Sequence, residues 1–197
     1  MAVSSGRRPS PARDRLLAAA QTRFNEDGYN GAGIDAIIAE AGIARMTLYN
    51  HFPSKDALIE AVLERRHQDL TAWVMEGVNR RADDPASRLL AVFDVLADWL
   101  GSDGFRGCLF VRAVGELGVS HDAVRQAASD HKGWYRRFFI ENAVAASLPD
   151  ATGLADDLLL LLGAPRHGRW LMAKAGQKPG GRNELPQCLS VPADLSP

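Results

Sequence analysis

The chain has 197 residues, of which 46% are hydrophobic, 7% aromatic and 24% charged. That is long enough to bury a substantial core, and the balance is that of a globular chain rather than a disordered one. The apolar run Leu158 to Leu162 falls far short of the ~20 residues a membrane span needs. Arg7 and Arg8 are followed by no apolar segment, so no signal peptide is expected and the chain reads as cytoplasmic. Two cysteines, Cys108 and Cys188, can build neither a disulfide framework nor, alone, a four-ligand zinc site. No metal and no cofactor are expected.

The net charge of −1 hides an uneven distribution. Residues 1–67 carry 9 basic and 8 acidic side chains, residues 68–162 carry 9 and 14, and residues 163–197 carry 5 and 2. Within the first segment, Arg7, Arg8, Arg13, Arg15 and Arg23 face only Asp14 before position 26, and residues 41–55 hold Arg45 and Lys55 with no acid. Two local basic surfaces in a near-neutral segment are compatible with nucleic-acid binding.

In chain order, residues 1–10 are small, polar and basic and read as a flexible arm. A first helix is predicted from Pro11, a residue suited to an early helical position, with Leu16, Leu17, Ala20 and Phe24 on one face and an end near Gly28. A second begins around Gly33, where Ile34, Ile37, Ile38 and Ala41 follow the i, i+3, i+4, i+7 rule up to Gly42. A third, short helix spans about Ala44 to His51, with Leu48 and Phe52 turned inward. Pro53 breaks the chain, and Ser54 caps a fourth helix that carries Leu58, Ile59, Val62 and Leu63. No period-2 alternation and no internal repeat interrupts this helical pattern, so the fold class is all-α.

Three helices in about forty residues, the second and third joined by a tight turn at Gly42, form a helix-turn-helix pattern. The third helix is too short to persist alone and must be held by the first two. Its outward face offers Arg45, Met46, Thr47, Tyr49, Asn50 and His51, all able to reach base edges or phosphates. A helical core with a merely polar surface is the competing reading.

The run from Gly28 to Leu58, GYNGAGIDAIIAEAGIARMTLYNHFPSKDAL, resembles the N-terminal domain of the TetR family of bacterial transcriptional regulators. The pieces that carry the likeness are AG-I, T-LY-HF and SK-AL, with FNEDGY upstream, and it extends over residues 11–70. The resemblance implies that Arg45, Met46 and Thr47 face bases, that Tyr49 and His51 touch the DNA backbone with Asn50 between them, and that Lys55 binds a phosphate. Arg45 is the leading candidate for direct readout, because a guanidinium can grip guanine O6 and N7 in the major groove. Two departures stand out. Ala32 and Gly33 replace the hydroxyl residues usual at the start of helix two, and Ala44 stands where a Ser or Thr commonly caps the recognition helix.

The same resemblance implies that residues 71–162 form a helical ligand-binding and dimerisation domain enclosing a small effector. Phe93, Trp99, Phe110, Trp134 and Phe138 are the candidates for lining its pocket, with core packing the competing reading for each. Cys108, flanked by Leu109 and Phe110, reads as a buried inert thiol before a redox sensor. Residues 163–197 hold ten Gly or Pro and lose helical periodicity, an atypical tail where two long dimerising helices are expected.

The expected function is therefore a homodimeric, sequence-specific regulator, a repressor released from a palindromic operator by a small molecule. The alternative is a helical interaction module that has lost specific DNA binding. An enzyme is not expected. The five histidines show no H-E-x-x-H spacing, and neither a G-x-S-x-G motif nor a phosphate-binding glycine loop is present.

Overall fold

The computed structural model describes residues 10–100 and 106–163. The basic arm with Arg7 and Arg8, Phe105, Cys188 and the tail beyond Gly163 lie outside the described residues. Among those described, eight helices and no strand occur: α1 (Pro11–Gly31), α2 (Ile34–Ala41), α3 (Arg45–His51), α4 (Lys55–Asn79), α5 (Pro85–Leu100), α6 (Leu109–Leu117), α7 (Asp122–Ala145) and α8 (Ala151–Gly163).

Local chemistry places the boundaries. Pro11 opens α1, and the expected stop at Gly28 is a break within the element: Gly28 takes φ +79° and ψ 171°, and one further turn follows. That backbone region is open almost only to glycine. Gly42 closes α2 in the left-handed conformation, φ +61° and ψ 45°. Ser54 caps α4, its Oγ accepting a hydrogen bond from the Ala57 amide at 3.1 Å. Ala44 and Gly33 precede α3 and α2 without any side-chain cap.

Two apolar cores result. The first joins Leu16, Leu17, Phe24 and Tyr29 of α1 to Ile37 of α2, Leu48 of α3, Leu58, Ile59 and Leu63 of α4, and Leu109, Phe110 and Ala113 of α6. The second gathers Leu70, Val74 and Val78 of α4 with Val92 and Val95 of α5, Tyr135, Phe138 and Phe139 of α7, and Ala155 and Leu158 of α8. Helix α4 runs through both, about 37 Å of continuous rod at 1.5 Å per residue.

Helix α6 docks on the end of α1. The Tyr29 hydroxyl donates to the Leu109 carbonyl at 3.1 Å, and burial pushes that phenol above its usual pKa. Arg112 donates to the Phe24 and Asn25 carbonyls at 3.2 and 2.7 Å, closing orphan acceptors where α1 breaks. Glu116 accepts from the Asn30 amide at 2.9 Å and pairs with Arg112 at 3.2 Å.

Candidate DNA interface and effector groove

Helix α3 has only seven residues and buries one of them fully, Leu48, against the first core. Phe52, just past its end, is buried as well, and the Arg13 guanidinium lies 5.3 Å from the centre of its ring. With Leu48 and Phe52 pinned, the opposite face must point outward. Met46 is 69% exposed, Tyr49 40% exposed, and Arg45 and Asn50 are exposed, while Thr47 and His51 are half-buried. His51 Nε2 sits 3.4 Å from the Ser10 hydroxyl, tying the end of α3 to the start of α1. Lys55 opens α4, half-buried beside the exposed Pro53 and Ser54.

The seven residues predicted to meet DNA thus lie on α3 and at the start of α4, four of them exposed and Thr47, His51 and Lys55 half-buried. Sequence reasoning missed Asp35. Its carboxylate, in the first turn of α2, accepts from Arg45 Nη2 and forms an ion pair across the two helices of the motif. The signal available was an acid ten residues before the arginine predicted to read bases. Ser10 and Arg13 were missed for the same reason, since their partners lie on α3 and at its end.

A second feature lies in the other half. A groove of about 390 Å3 opens between Met75 of α4, Arg88 of α5 and the α7 residues Trp134, Arg137, Phe138, Glu141 and Asn142, a volume within the range of small-molecule sites. Trp134 and Phe138, one turn apart, present rings at 17° to each other with centroids 5.9 Å apart. Two of the five aromatics predicted to face an effector therefore line this groove, and three do not. Phe93 stacks on Phe139 at 5.9 Å, Trp99 lies under the Arg66 guanidinium at 5.3 Å, and Phe110 stacks on His131 at 3.9 Å within the first core.

Beside Phe110, His67 of α4 and His131 of α7 meet through their Nδ1 atoms at 3.0 Å. Burial, with help from His67 and Arg66, pushes the His131 pKa down to about 4. Cys108, half-buried, caps no backbone group of α6. Among the described residues no three His, Cys, Asp or Glu side chains are grouped to hold a metal, and no helix is long and apolar enough to cross a membrane.

The chain is similar to known proteins. Residues 16–62 match the model of the bacterial regulatory proteins of the tetR family. The HTH-type transcriptional repressor DhaR of Mycobacterium sp. (strain GP1) is 30% identical over 154 residues, covering 76% of this chain and 75% of that protein. The HTH-type transcriptional activator FasR of Mycolicibacterium smegmatis is 38% identical over 96 residues, but the match spans only 48% of this chain and 43% of FasR. Among solved structures, SCO4454 of Streptomyces coelicolor, a TetR-family transcriptional regulator, is 30% identical with a TM-score of 0.71, covering 83% of this chain and 91% of that one.

Proposed function

The chain belongs to the TetR family of bacterial transcriptional regulators, and from that premise we propose that it binds a palindromic operator as a homodimer and acts as a repressor that a small molecule releases. The observation that carries this reading is the outward face of α3, where Arg45, Met46, Tyr49 and Asn50 stand clear of a core that pins Leu48 and Phe52. A helix held this way enters a major groove with base-reading side chains foremost. In a symmetric dimer two such helices meet successive major grooves about 34 Å apart. Tyr49, His51 and Lys55 serve the phosphates, which position the protein without specifying sequence.

Apolar surface on the other half supports dimerisation. Leu160 of α8 is 72% exposed and Val144 of α7 62% exposed. A second copy covering α7 and α8 would bury both. An effector in the groove beside Met75 would press on α4, and α4 passes directly into the DNA-binding half. Because the ligand would favour a separation of the two heads that DNA disfavours, the affinities for ligand and operator are reciprocally coupled.

Selection of bound duplexes from a random DNA pool at physiological salt tests this. An enriched palindrome is the expected outcome, with affinity falling steeply as salt rises because phosphate contacts release counterions. A single enriched half-site would remove the dimer, and no enrichment would remove the operator-binding reading itself.

A further inference from the structure

We propose that the groove between α4, α5 and α7 takes a monocarboxylate with a flat apolar body, an inference that rests on the effector reading of that groove and gives the effector its chemical class. Helices α5, α6 and α7 carry five arginines. Arg112 pairs with Glu116, Arg125 with Asp122 and Arg136 with Asp156. Arg88 and Arg137 pair with no carboxylate among the described residues, and both line the groove. In a segment with 14 acidic side chains to 9 basic ones, two guanidiniums with no ion pair among the described residues meet at one place.

Arg88 is also held in position. Its Nε donates to Asn142 Oδ1 at 3.1 Å and its Nη1 to Asn79 Oδ1 at 2.7 Å, both neutral acceptors, and it lies 6.0 Å from the centre of the Phe138 ring. Asn142 is itself fixed by donating to the Phe138 carbonyl at 2.8 Å. Two of the five N–H donors of Arg88 are thereby used, and three remain for a ligand. A planar fork preorganised in this way matches a carboxylate, which can accept two parallel bonds. Arg137, exposed on α7, makes no hydrogen bond or ion pair among the described residues.

The rest of the groove sets the remainder of the ligand. Trp134 is half-buried, Met75 adds an adaptable thioether, and Phe138, 5% exposed, backs the wall from the core. A flat aromatic or extended aliphatic body fits such a wall. Among the described residues, Glu141 is the one carboxylate lining the groove. Two guanidiniums against one carboxylate leave a single positive charge, which suits a monoanion, whereas a dianion would meet Glu141.

Isothermal titration of the full chain with benzoate, 2-naphthoate and octanoate, each against its own primary amide, tests the proposal. At least one acid is expected to bind about tenfold or more tightly than its amide, the margin of one charge-assisted hydrogen bond. Arg137→Gln should shrink that acid-to-amide ratio towards unity. Arg80→Gln, which breaks the pair with Glu76 outside the groove, should leave it as it was. Arg88→Lys, checked for folding by its melting curve, should keep the charge but lose the fork and weaken the acid more than the amide. The proposal is overturned by equal binding of every acid and its amide, by no binding at millimolar ligand, or by a preference that survives Arg137→Gln. Displacement of operator duplex is measured separately. An acid that binds but leaves the operator in place would keep this site and remove the effector role.

Discussion

Asp35 of α2 and Arg45 of α3 face one another across the turn of the DNA-binding motif and form an ion pair, although both side chains are largely exposed. Such a pair contributes at most about 1 kcal/mol to stability, so its effect is on direction. It holds the guanidinium at the edge of α3 before any base is present. Asp35→Asn is expected to leave the melting temperature nearly unchanged and to relax base preference at the operator positions Arg45 reads. Arg45→Ala should cost about 1–3 kcal/mol of discrimination at the same positions. Selection profiles for the two variants decide the matter. If Arg45→Ala alters the profile while Asp35→Asn superimposes on the parent, the carboxylate does not orient the reader.

The missing caps give a ranked prediction. Ala44 sits at the N-cap of α3 with φ −78° and ψ 149°, the extended geometry a capping side chain uses, yet offers no oxygen. Ala44→Ser should add about 1 kcal/mol and raise the melting temperature by roughly 2–4 °C in a chain of this size. Gly33 has open space where a Cβ would lie. Because glycine is already a tolerable N-cap, Gly33→Ser should gain only a few tenths of a kcal/mol. Melting curves that reverse this order would mean that the start of α3 is satisfied by other means.

What could be read from the chain was local. Pro11, Gly42 and Ser54 act on their own backbone, so their positions fix α1, α2 and α4 before any packing is considered. The exposed face of α3 followed from period alone, since Leu48 and Phe52 are the apolar positions of a short helix. Contacts between distant segments were not legible. Nothing near Arg112 or Glu116 says that they close the end of α1 some ninety residues earlier, and Asp35 looks like any exposed acid until α3 is folded against α2. The aromatics show the same limit. Trp134 and Phe138 share a face by their i, i+4 spacing, but which face of Phe93, Trp99 or Phe110 a neighbouring helix covers is decided only in three dimensions.

Gly28 is the point where the backbone of α1 and the docking of α6 constrain each other. A Cβ there would lie 2.7 Å from Glu116 Oε1, and the conformation itself excludes other residues. Gly28→Ala should cost about 1–3 kcal/mol from backbone strain alone. Adding Glu116→Ala removes the collision but not the strain, and it frees the Asn30 amide. The double variant is therefore expected to remain below the parent in urea denaturation. Full recovery in the double variant would show that crowding, not φ, dictates glycine.

The His67–His131 contact makes stability depend on pH in a definite direction. One ring donates its Nδ1–H to the other, which requires the acceptor nitrogen to be bare. His131 is held neutral by burial, with Arg66 and His67 of α4 adding positive charge, Phe110 of α6 stacked on it and Tyr135 of α7 at its edge. Its pKa of about 4 in the fold lies below the usual 6.5, so between these values the unfolded chain binds the proton and the folded chain does not. The contribution is complete above pH 6.5, is lost as pH falls towards 4 at up to about 1.4 kcal/mol per unit, and levels off below that. Other carboxylates titrate in the same acid range, so the parent must be compared with His131→Phe, which can still stack on Phe110 but cannot take a proton. The variant is expected to be the less stable at neutral pH, with the gap closing as pH falls from 6.5 to 4. A gap that stays constant across that window would place the acid sensitivity elsewhere in the chain.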